Sequence, residues 1–96
     1  MKERMIKRNP CANWRLEDKN IAKNLNKYAI FIILRNELFE LNLIGAEIWL
    51  LLDGNRTKDD IVEDLSKKHK VPREKLYIDI ENFVSEMLKL DLLIFC

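Results

Sequence analysis

Apolar residues along this chain change their spacing twice, and each change predicts a different kind of element. Residues 1–13 show no sustained period, and Pro10 disfavours helix at Asn9, so they read as a mobile, basic lead-in. Trp14, Arg15, Leu16 and Glu17 alternate apolar with polar, the period of a half-buried strand. Residues 18–27 are rich in Asn and Lys and read as a loop, although Ile21, Ala22 and Leu25 have the spacing of one helical turn. The run 28–34, Tyr-Ala-Ile-Phe-Ile-Ile-Leu, is dense in β-branched and aromatic residues and predicts a central strand. Arg35-Asn36 is a plausible tight reversal, since Asn tolerates positive φ, and 37–41 would return antiparallel.

From Asn42 the period lengthens. Asn42 suits the N-cap of a helix over 43–52 that closes at Asp53-Gly54, and apolar residues around nearly its whole circumference predict that it is the buried helix. Thr57 caps a second helix, with Asp59 and Asp60 in the first turn and Lys67, Lys68 and Lys70 at the end, as the helix dipole favours. Val71-Pro72 breaks the pattern, and Pro72 opens a last helix over 73–90 whose face carries Leu76, Ile80, Phe83, Val84, Met87 and Leu88. Leu92, Leu93 and Ile94 form an apolar end that tucks into the core. The resulting fold class is α+β, winged helix-turn-helix-like: a three-stranded antiparallel sheet followed by three helices, in a single domain over 14–96.

Composition narrows the chemistry. A chain of 96 residues, 48% hydrophobic and 34% charged, has enough apolar surface for a modest core. No apolar run approaches the ~20 residues that cross a bilayer, and the basic N-terminus is not followed by an apolar stretch of signal type. The expectation is a cytoplasmic protein. Cys11 and Cys96 stand near opposite ends and read as two thiols, with no zinc set and no disulfide framework.

One His, two terminal Cys and the separated Gly45 and Gly54 assemble neither a nucleophilic triad nor a phosphate-cradling loop. His69 lies among lysines at a helix end, where capping explains it. Asp59/Asp60 and Asp79/Glu81 do not face each other on a helix, so they suggest no acid–base or metal site. The chain is expected to be no enzyme and to need no cofactor.

Charge is unevenly spread. Residues 1–27 carry eight Lys/Arg against three Asp/Glu, and residues 28–96 carry nine against thirteen. Residues 73–91, which would be the recognition helix of a DNA-binding winged helix, carry Arg73, Lys75 and Lys89 against Glu74, Asp79, Glu81, Glu86 and Asp91. A helix entering a phosphate-lined groove should be basic, so nucleic acid is not the expected partner. The basic arm remains compatible with a solvated extension, or with weak attraction to an anionic partner.

The ordered landmarks Leu41-Asn42, Ala46-Glu47-Ile48-Trp49, Leu52-Asp53-Gly54 and Arg56-Thr57, with Asp79-Ile80 and Phe83 beyond them, resemble the PqqD family, also called the RiPP recognition element. The resemblance covers roughly residues 28–94. It implies a stand-alone module that binds the leader of a ribosomally made precursor peptide as an added strand, between the third strand of the sheet and the third helix. The module would then present the precursor to a radical-SAM maturase or a leader peptidase. By position, the binding residues it implies are Glu37, Leu38, Phe39, Glu40 and Leu41 on the strand, and Leu76, Asp79, Ile80, Phe83 and Met87 on the helix. An open strand edge with apolar pockets beside it suits that role physically. The same edge would also serve a subunit of an obligate complex, or pair two copies as a homodimer. Winged-helix DNA binding is the weaker alternative, and no membrane partner is implied. Where the family commonly has Gly after the last helix, this chain has Asp91.

Overall fold

The computed structural model describes residues 5–16 and 30–96. The elements are β1 (Ile6–Arg8), β2 (Asn13–Leu16), β3 (Ile30–Leu34), β4 (Glu37–Leu41), α1 (Leu43–Leu51), α2 (Lys58–His69), α3 (Arg73–Lys89) and β5 (Leu93–Phe95). This is a mixed α+β fold in which an antiparallel sheet precedes the helices. The expected loop at 18–27, with Glu17, Tyr28 and Ala29, lies outside the described residues. The chain divides into two compact units: Pro10–Leu50, and Met1–Asn9 together with Leu51–Cys96.

In the unit 10–50, β2, β3 and β4 form one antiparallel sheet with β3 central, as the sequence predicts. The register pairs Trp14 with Ile32 and Ile32 with Phe39. Arg35 and Asn36 both have positive φ, 52° and 66°, which makes the β3–β4 connection a two-residue type I′ turn that matches strand twist. Strand alternation sends Ile30, Ile32 and Leu34 to a buried face and Phe31 and Ile33 to the other.

Trp14, on the buried-face side, meets Trp49 of α1 edge to face, with ring centroids 6.1 Å apart. The Asn42 side chain accepts from the Gly45 N–H at 2.8 Å and so caps α1 as expected. The expectation that α1 is the buried helix is corrected to burial on one side: Gly45, Ala46, Ile48 and Trp49 are buried, while Leu43, Ile44 and Leu50 are exposed. These buried positions share one stripe, and nine residues of helix packed along one stripe leave the other side outward whatever its composition.

In the other unit, β1 pairs antiparallel with β5, matching Ile6 with Phe95 and Arg8 with Leu93. This revises the reading of residues 1–13 as an unpatterned lead-in, because Ile6–Arg8 is a strand and Ile6 is buried. Its partner sits at the far end of the chain, so no local period announces it. The expectation for 92–94 is met at Leu92 and Leu93, which are fully buried, while Ile94 is half-buried.

α2 and α3 pack together and present Ile61, Val62 and Leu65 from one helix and Leu76, Ile80, Val84 and Met87 from the other as buried stripes. Lys58 with Glu81, and Arg73 with Glu63, form ion pairs across them. Thr57 and Asp60 close a full capping box at the start of α2. Pro72 is the N-cap of α3, immediately ahead of Arg73, where the sequence starts the helix.

Candidate functional site

The sequence places the binding residues on β4 and α3, which belong to different units, and the two sets differ in state. On β4 the exposed side chains are Glu37, Leu38 and Glu40; Phe39 is half-buried and Leu41 buried. Of the expected α3 residues only Asp79 is exposed; Phe83 is half-buried, and Leu76, Ile80 and Met87 are buried.

The backbone of β4 follows from its turn. A two-residue hairpin closes on a hydrogen-bonded pair, here Leu34 and Glu37, after which bonded and non-bonded pairs alternate. Ile32–Phe39 and Ile30–Leu41 are therefore bonded pairs, and Ile33–Leu38 and Phe31–Glu40 are not. The N–H and C=O groups of Leu38 and Glu40 consequently point away from β3. β4 ends the sheet, so among the described residues these groups meet no further strand. They form an edge ready to accept one.

On the sheet face opposite the Trp14–Trp49 contact, Asn13, Arg15, Phe31, Ile33 and Leu38 line a shallow trough that Trp14 also borders. Ile33 is 51% exposed and Leu38 58% exposed, both large values for apolar residues inside a sheet. The sequence reading missed Ile33 and Phe31 as surface residues, because a continuous apolar run signals a strand buried on both faces. The signal available was Arg15 on one neighbouring strand and Glu40 on the other, each opposite Phe31.

The landmark residues between α1 and α2 serve the scaffold. Asp53 accepts from the Asn55 backbone N–H at 2.9 Å and from Arg56 Nη1 at 2.6 Å. The Asn55 hydrogen bond, followed by the nearby charges of Arg56 and Arg8, holds the Asp53 carboxyl below its ordinary pKa against a smaller opposing desolvation. Gly54 has φ +87°, a backbone conformation that favours glycine, and a Cβ there would crowd Cys96 Sγ at 3.1 Å.

Asp91 fills the place of the family's glycine with φ +62°. The Leu92 N–H donates to Met87 O and the Asp91 N–H to Leu88 O, the two bonds of a Schellman motif. The helix therefore ends as a glycine would end it.

Among the described residues, no group of three or more His, Cys, Asp or Glu side chains is placed to hold a metal ion. None of the described helices is long and apolar enough to cross a membrane.

Comparison with known proteins gives three similar solved chains. One, solved as TbiB1 in complex with the TbiA(beta) leader peptide, is 19% identical with a TM-score of 0.74, covering 91% of this chain and 93% of the other. The second is the PqqD truncation of Methylobacterium extorquens PqqCD, a stand-alone RiPP recognition element, 16% identical with a TM-score of 0.71, covering 93% and 87%. The third is the heterocyclase TruD, 18% identical with a TM-score of 0.66, where 98% of this chain matches 12% of that one. At these identities the likeness is one of fold. A search of curated proteins gives no match. The family profile of coenzyme PQQ synthesis protein D matches residues 23–93, most of the chain. The chain belongs to the PqqD family.

Proposed function

We propose that this chain is a non-catalytic module that recognises the leader segment of a ribosomally made precursor peptide and presents it to a separate modifying enzyme, a radical-SAM maturase or a leader peptidase. The observation that carries the reading is the open edge of β4, where Leu38 and Glu40 turn their backbone donors and acceptors outward. Family membership supports it, as does similarity in fold to a chain solved with a leader peptide and to a stand-alone recognition element. Strand addition uses main-chain hydrogen bonds for affinity and alternate side chains for selection. Of the α3 candidates, Asp79 and Phe83 are the two that are not buried.

The test is a titration of the isotopically labelled chain with the leader of the precursor encoded nearest its gene. Shifts centred on residues 37–41 support the reading, and binding that leaves these residues unmoved contradicts it. Glu40→Pro is the informative variant, because its N–H faces outward and its loss spares the β3–β4 ladder. It should weaken binding while the hairpin stays folded. Phe39→Pro removes a ladder bond and tests folding instead.

A further inference from the structure

Glu40 and Leu38 lie on the same face of the sheet, two residues apart, on the strand that carries the open edge. Leu38 continues the apolar trough that Ile33 and Phe31 begin. Glu40 is exposed, and no ion pair or side-chain hydrogen bond engages its carboxylate among the described residues. In the register Phe31 faces Arg15 on one side and Glu40 on the other, which puts the Arg15 and Glu40 backbones about 10 Å apart at two strand spacings. The outer face beside the open edge thus presents an apolar position and an exposed carboxylate two residues apart along one strand.

We infer that the peptide added at β4 carries an apolar side chain and a Lys or Arg two residues apart, which lie over Leu38 and beside Glu40. The inference rests on strand addition at β4 and specifies the chemistry of the strand that is added. Directly opposed residues on neighbouring strands project to the same face, so the residues opposite Leu38 and Glu40 share the outer face, and the one between them projects to the other side. The apolar residue extends the contact with Leu38, and the cation meets a carboxylate that no described residue engages. Parallel addition reads apolar–any–basic from the N-terminus, and antiparallel addition reads the reverse.

A dodecapeptide library displayed on phage, selected separately on the full chain, on Glu40→Lys and on Leu38→Ser, tests this. The unsubstituted chain should enrich Leu, Ile, Val or Phe two positions from Lys or Arg. Glu40→Lys should enrich Asp or Glu at that spacing, and Leu38→Ser should lose the apolar preference while keeping the cation. A synthetic peptide from the first pool should lose about fivefold in affinity for Glu40→Lys, and should regain it when its cation is replaced by Glu. Unchanged denaturation midpoints will show that both variants are folded. Peptides that protect the β4 amides yet show no exchange of charge preference on Glu40→Lys overturn the inference and leave strand addition standing. No binders from any of the three selections overturns both.

Discussion

β4 and the apolar stripe of α3 were both expected to bind, and they carry hydrophobic residues in similar density, but the fold treats them in opposite ways. Ile80 is fully buried, whereas Leu38 is 58% exposed and its backbone groups face an open edge. A helix satisfies its own hydrogen bonds and has only an apolar stripe to place, which its own packing uses. An edge strand keeps half its backbone groups unsatisfied within the sheet, and no further described strand completes those of β4. Capacity for a partner therefore follows unsatisfied backbone more closely than hydrophobic pattern.

The largest effect that separates these regions is on stability. Ile80→Ala removes a buried side chain from α3 and should cost about 3 kcal/mol in urea denaturation. A cost below about 1 kcal/mol would place Ile80 on an accessible surface and restore it as a contact residue. Thr57→Ala deletes one half of the α2 capping box and should cost about 1 kcal/mol in the same measurement, with peptide affinity unchanged. Asp91→Gly relieves a left-handed backbone at the end of α3 and should raise stability by about 0.5–1 kcal/mol. A loss there would mean that the Asp91 side chain makes a contact worth more than the backbone strain. The smallest change in stability is expected on β4. Leu38→Ser should shift stability by less than about 0.5 kcal/mol, because the side chain is already in water, and should weaken peptide binding.

Much of this was legible in the sequence where the determinant is local. The type I′ turn is set by Arg35-Asn36, the α1 cap by Asn42 and the capping box by Thr57 and Asp60, all within three residues of what they organise. The strand at Ile6–Arg8 was not legible, because its partner lies at 93–95 and three residues carry no period. The exposure of Ile33 was hidden for a related reason. A run of consecutive apolar residues fits burial on both faces, and only the neighbouring strands, with Arg15 and Glu40 opposite Phe31, reveal that one face is open. On α3, spacing identified the apolar stripe but could not tell a core stripe from a contact surface, since both follow the same helical period. The binding role itself entered through the ordered landmarks. Several of these, Asn42, Asp53, Gly54 and Thr57, act in caps and turns.

The central claim is that β4 accepts an added strand through Leu38 and Glu40, and amide hydrogen exchange measures this residue by residue. With the leader peptide bound, the amides of Leu38 and Glu40 should become strongly protected, while those of Phe39 and Leu41, already bonded to β3, change little. Peptide binding that leaves the Leu38 and Glu40 amides exchanging at their free rates would contradict the account.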